Sequence, residues 1–167
     1  MSRRPTRRVV IGVQDSAAGL RALRCGVAEA RRRGACVYVV RAYAGGGPGA
    51  GYPVASARID LSVRAAHLAR EVLLRAVGAV PADLSVHAAG VDGSPGRALV
   101  AFADRDDDLL VVGDAQRGGI RRLVSGAVAR YCLRHAVCPV LVVPAPALAR
   151  TSGHEITREA QRLIDAA

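Results

Sequence analysis

Asp107–Pro144, DDLLVVGDAQRGGIRRLVSGAVARYCLRHAVCPVLVVP, reads as one strand–loop–helix–strand unit. Leu109–Val112 is continuously apolar, as a strand buried on both faces must be. Gly113, Gly118, Gly119 and Gly126 break the chain after it. Val128, Tyr131, Cys132 and His135 recur at helical spacing, and Pro139–Val143 is a second apolar run. A proline at its start suits an edge position or a strand start. Such a unit sets helix-start N–H groups beside the carboxyl end of a parallel strand, where α/β folds hold anions.

Working outward, Arg8–Val13 is a short apolar run, and Ser16 is a good N-cap after it. Leu20, Leu23, Val27 and Ala30 then mark a helix that stops at Arg33-Gly34, before a second run at Cys36–Ala42. Gly45–Pro53 is a Gly/Pro-rich loop. Leu61, Ala65, Leu68, Val72 and Ala76 predict a long helix. Leu84–Ala88 alternates apolar and polar, which places this third strand at a sheet edge. Ser94-Pro95 opens a helix through Phe102. Asp104, Asp106, Asp107 and Asp108 read as a solvated acidic run.

The fold expected is therefore α/β, a doubly wound five-stranded parallel sheet of strand order 3-2-1-4-5 with helices on both faces. The domain spans 1–147, and 148–167 is a linker and an extra helix. In that tail, Ser152–Glu155 is a capping box, and Ile156, Ala160, Leu163 and Ile164 form one apolar stripe. Its cover is either its own domain or a second subunit.

The 167 residues are 51% hydrophobic and 3% aromatic, so the core must be aliphatic. The formal charge is +10 and every basic residue that is not histidine is Arg. The absence of Lys looks like coding bias, which weakens a reading of the charge as selected for nucleic acid. Tyr38, Tyr43, Tyr52, Tyr131 and Phe102 show no grouping into a stacking platform. Cys25, Cys36, Cys132 and Cys138 form no CxxC pair and no His stands at metal-ligand spacing to them, so they read as buried free thiols in a reducing, cytoplasmic compartment. The opening residues lack the pattern of a secretory signal, and no apolar run approaches the ~20 residues that cross a bilayer.

With that strand order, Val13-Gln14-Asp15-Ser16 and Gly113–Ala127 meet at the carboxyl end of the sheet, in the crevice between strands one and four. Arg117, Arg121 and Arg122 add positive charge, and an adenine nucleotide fits this layout. Neither a Walker loop nor GxGxxG is present. On the residues alone, a tight strand-to-helix turn explains Gly113, Gly118 and Gly119 as well.

The chain resembles the universal stress proteins, as a single-domain UspA-like member, from about Arg8 to Pro144. VVIGVQDSAAGLRALRCGVAEARRRGACVYVVRAY is similar to the family's first βαβ unit. Gly90-Val-Asp-Gly-Ser-Pro-Gly-Arg-Ala-Leu is similar to its third helix start. LLVVGDAQRGGIRRLVSGAVARYCLRHAVCPVLVVP is similar to its signature. ATP-binding members carry G-x2-G-x9-G-(S/T) after the fourth strand. Gly113 and Gly126 match its first and third glycines; Gln116 stands at the second, and Ala127 at Ser or Thr. Ser125 has a hydroxyl one residue early. Gln14 stands where those members have Asp, with Asp15 displaced by one. The site residues the resemblance implies are Gly12, Val13, Gln14, Asp15, Ser16, Ala42, Gly113, Gln116, Arg117, Gly126, Ala127 and Val128.

The expected function is a cytoplasmic stress-response or signalling module, homodimeric through Pro139–Val143, with an unidentified signalling partner and weak or absent binding of ATP or another adenine nucleotide. The enzymatic alternative is slow ATP hydrolysis or phosphoryl transfer, for which Asp15, Asp92 and Asp114 are the acids near the site. A third reading is an Arg-dependent binder of RNA or an acidic protein. No Ser-His-Asp or Cys-His set can be drawn from His67, His87, His135 and His154.

Overall fold

In the computed structural model, which describes residues 7–45, 55–114 and 126–146, the chain alternates strand and helix throughout. The elements are β1 (Arg8–Gly12), α1 (Ala17–Arg33), β2 (Cys36–Tyr43), α2 (Ala55–Val77), β3 (Val86–Asp92), α3 (Pro95–Phe102), β4 (Leu109–Asp114), α4 (Ala127–His135) and β5 (Val140–Pro144). All neighbours pair in parallel, in the order β3-β2-β1-β4-β5 expected from the sequence.

The continuous apolar runs serve two cores at once, because successive strand residues face opposite sides of the sheet. Val9, Ile11, Val37, Val39, Leu109 and Val111 pack with α1 and α2. Val10, Val40, Leu110 and Val112 pack with Leu99 of α3 and Ala129 and Cys132 of α4. The middle strands β1 and β4 are accordingly the most deeply buried, and β3 and β5 are half-exposed along most of their length.

Local signals explain most boundaries. Ser16 is the N-cap of α1, its hydroxyl accepting from Gly19 N at 3.1 Å. Gly34 ends α1 in the left-handed region, φ 58°, donating back to the Ala30 and Arg31 carbonyls. Ser94 precedes Pro95 at the start of α3, but its side chain makes no capping bond. The third strand runs to Asp92 rather than stopping at Ala88. Its Ala-Gly-Val-Asp end lacks alternation, yet it pairs residue by residue with Ala89–Asp92 against Val40–Tyr43.

Asp108 corrects the picture of a solvated acidic run, since it is fully buried. Arg8, at the foot of β1, grips it with both ends of the guanidinium: Nε donates to Oδ1 at 2.8 Å and Nη2 to Oδ2. Nη2 also reaches Asp104 at the surface. These hydrogen bonds, Asp108's above all, raise the Arg8 pKa against the opposing effect of burial. Arg8 also lies 5.7 Å and 5.9 Å from the ring centres of Tyr38 and Phe102. Those rings meet at 5.6 Å, and Tyr38 stacks on His87 at 4.8 Å. Tyr38 and Phe102, far apart in sequence, thus meet with His87 as a brace around one ion pair.

All four cysteines are free; Cys36, Cys132 and Cys138 are buried and Cys25 is half-buried. Burial pushes the Cys132 thiol up to about 11, with Cys138 adding to it, and burial raises Cys138 as well. Burial shields a thiol from reagent, and a thiolate is the reactive form, so a colorimetric thiol reagent at about pH 7.5 should label Cys25 first, Cys132 about a hundredfold more slowly, and buried Cys36 and Cys138 more slowly than Cys25. Four equal fast rates in folded protein would contradict this core.

Candidate functional site

The carboxyl ends of β1, β2 and β4 and the starts of α1, α3 and α4 enclose a cavity of about 500 Å³. That volume suits a small-molecule ligand. The two turns, distant in sequence, do converge: Gln14 and Gly113 line the same cavity, above adjoining parallel strands. Of the predicted positions, Gly12, Val13, Gln14, Ser16, Ala42, Gly113, Gly126, Ala127 and Val128 are in its wall. Gln116 and Arg117 lie outside the described residues, as do Arg121 and Arg122.

Asp15 is not in that wall. One step beyond Gln14, its side chain turns to α2 and accepts from Arg75 Nη1 at 3.0 Å. Asp92 is likewise engaged elsewhere, accepting from Gly45 N and from Arg58 Nη2. Asp114 ends β4 beside Gly126 but does not line the cavity.

Sequence reasoning missed Gly19, Val40, Arg41, Pro95, Leu99, Val112 and Ala129. Several sit next to a predicted position: Val40 and Arg41 precede Ala42, and Val112 precedes Gly113. Leu99 and Gly19 stand one turn inside their helices, so helical spacing from Pro95 and Ser16 was the available signal. Arg41 carries the sole formal side-chain charge among the described lining residues, so no carboxylate is in that part of the wall.

Two glycines shape the crevice. A Cβ on Gly113 would lie 2.8 Å from the Ala18 backbone, so α1 can approach β4 only because that side chain is missing. Gly126, at φ 91°, starts α4 from the left-handed region. It offers no side chain to cap the helix, and Ser94 does not cap α3. The first amides of α4 therefore have no side-chain acceptor from the N-cap position, and the helix dipole adds positive potential there. Ala127 supplies no hydroxyl beside them. The arrangement is suited to an anion-bearing ligand, held by backbone groups more than by side chains.

Among the described residues, no helix is long and apolar enough to cross a membrane and no cluster of three metal-ligating side chains occurs.

Comparison with known proteins agrees with this geometry. Two universal stress proteins match in part. That of Synechocystis sp. is 38% identical over 69 residues, covering 41% of this chain and 64% of its own. That of Methanocaldococcus jannaschii is 36% identical over 64 residues, 38% of each chain. The matched stretches thus span less than two thirds of either relative. Among solved structures, a universal stress protein in complex with cAMP superposes with a TM-score of 0.59 at 25% identity, covering 84% of this chain and 98% of that one. UspA from Lactobacillus plantarum gives 0.60 at 20% identity, covering 84% and 99%, and shows the same fold. The model of the universal stress protein family matches residues 5–144, which takes in every strand and helix described above, and the chain belongs to that family.

Proposed function

We propose that this protein is a cytoplasmic stress-response or signalling module that acts as a homodimer and binds ATP or another adenine nucleotide weakly or not at all. The observation that carries the reading is the cavity itself. It keeps the bare backbone at Gly113 and Gly126 that a phosphate needs, yet its wall holds Gln14 and Ala127 where ATP-binding relatives carry a carboxylate and a hydroxyl. The relative solved with cAMP supports an adenine nucleotide as the ligand class. Slow hydrolysis is the less favoured reading, since Asp15 is turned away to Arg75, Asp92 is engaged by Arg58, and no acid is among the described lining residues.

Homodimerisation through β5 is supported by its edge position and by half-exposed Val140, Leu141 and Val142. Leu133 and Val137 stand exposed at its foot, 60% and 66%. An apolar edge strand invites pairing with its own copy. Sedimentation should show a dimer for the native chain and a monomer for Leu133→Glu/Val137→Glu. Titration with a fluorescent ATP analogue should leave the native protein unsaturated across the micromolar range. A native monomer would sink the homodimer, and micromolar saturation the weak affinity.

A further inference from the structure

The sheet has two edges, and β3 forms the one opposite β5. Its sequence, VHAAGVD, is half-exposed for most of its length and holds no Lys, Arg or Pro. Those residues usually blunt an edge, and without them the outer N–H and C=O groups of β3 are open to pairing. Among the described residues, no strand pairs with that outer side. α2 overhangs it. The helix runs antiparallel to β3: Arg58 reaches Asp92, and Ser62 Oγ donates to Gly90 O at 3.1 Å. Arg75 reaches Asp15 at the start of α1, on the opposite flank of α2. Ile59, Val63 and Leu74 are exposed. At about 100° per residue, Ile59, Val63, Ala66, Arg70 and Leu74 fall in one strip, which faces away from α1 and out past the β3 edge.

Strip and strand share a centre. Ile59 and Leu74 are centred on Ala66 and His67. With about 1.5 Å per helix residue and about 3.3 Å per strand residue, counting from the Ser62–Gly90 contact puts that centre level with Ala88 and Ala89. That is the middle of β3. A two-fold axis there, perpendicular to the sheet, sets β3 antiparallel to β3 of a second copy. The same rotation lays α2 along its copy, Ile59 facing Leu74 and Val63 facing Arg70. Charge favours a second copy as the occupant. The chain carries +10, which opposes self-association over most of its surface. On α2, however, Arg58 and Arg75 are matched within the chain by Asp92 and Asp15. Its other exposed charges are two acids, Asp60 and Glu71, and two bases, Arg64 and Arg70. With the helices turned end for end, the acids of one copy interleave with the bases of the other.

We propose that the β3 edge and the Ile59–Leu74 strip of α2 form a second self-association surface, on which two copies join β3 to β3 and α2 to α2 about one two-fold axis. It rests on neither nucleotide binding nor the β5 dimer. One short strand and one helix make it smaller than a standard interface, so it assembles only at about 0.1–1 mM chain. The test is sedimentation of Leu133→Glu/Val137→Glu, in which the β5 edge is blocked. This variant should be a monomer at about 10 μM and a dimer at about 1 mM. Adding Ile59→Glu/Val63→Glu should leave it a monomer at both. A monomer at about 1 mM without that addition would overturn the proposal, and is the result if the chain's own tail or another protein's segment is the true cover. A dimer that survives the addition would overturn it too. Ala66→Cys reports even if the glutamates disturb α2. Standing by the axis, it should cross-link to its copy under mild oxidation at least about tenfold faster than Arg64→Cys. Arg64 lies about 160° around the helix from it. Equal cross-linking rates would overturn the proposal.

Discussion

Replacing Arg8 with Met should destabilise the protein by about 3 kcal/mol, toward the lower end of what is lost when a buried ion pair loses one member. Asp108 has no exposure at all, and Arg8 retains a small edge in solvent. Without the guanidinium, Asp108 keeps one weak backbone bond, from Arg105 N at 3.3 Å. A carboxylate stranded there must either stay charged in an apolar setting or take up a proton. For a chain of this size the loss corresponds to a fall of about 6–12 °C in melting temperature. Arg8→Met/Asp108→Leu should recover most of it, since the stranded charge is then gone. A single-variant loss under about 1 kcal/mol would show that the pair is better solvated than its geometry implies.

The same cluster sets a pH trend. Hydrogen bonding to Arg8 holds the Asp104 carboxyl below its ordinary value, as Arg31 does for Asp83 and Arg32 for Glu29. Depressed carboxylate pKa values contribute stability that is present above the unfolded values, near 4, and is lost as pH falls through the folded ones. Acid melting of the native chain should therefore begin below about pH 4, and Arg8→Met should remove the Asp104 part of that dependence.

Restoring the family's contact groups should have a comparable effect on binding. Gln14→Asp returns a carboxylate that can accept from a ribose hydroxyl. Ala127→Ser returns a donor at the start of α4, a contact of roughly 0.5–1.5 kcal/mol if neutral and more toward phosphate. Gln116→Gly restores the glycine that ATP-binding relatives carry at that motif position. Together these should raise ATP affinity by about 10- to 1000-fold. The scaffold already supplies the rest: Gly113 against α1, and a left-handed Gly126 that offers no side-chain acceptor at the start of α4. Because Gln14 and Ala127 line the cavity at exposed positions, neither change touches the core.

Much of the fold was legible because its signals are local. Apolar runs such as Val9–Ile11 and Leu109–Val112 announce strands covered on both faces, and Ser16 and Gly34 bracket α1. Strand order followed from the edge character of the third strand and the continuously apolar, central character of the fourth. Asp108 was misread because its partner is 100 residues away in sequence, and nothing near it distinguishes a buried carboxylate from three solvated ones. The brace of Tyr38, Phe102 and His87 was invisible for the same reason, being made by β2, β3 and α3 together. At the site, Gly113, Gly126 and Ala127 of the motif line the cavity and Gln116 lies outside the described residues; motif spacing says nothing of Leu99 or Arg41, which enter from α3 and β2. Asp15 shows the converse: one residue of displacement turns its carboxylate from the crevice to α2.

The central claim is that this crevice retains the family's backbone cradle while having lost its polar contacts. Side-by-side titration of native protein and Gln14→Asp/Gln116→Gly/Ala127→Ser with one labelled ATP analogue tests it most directly. The expected result is no saturation of the native chain below about millimolar nucleotide and at least about tenfold tighter binding by the triple variant. Equal affinities in the two proteins, or tighter binding by the native chain, would contradict it.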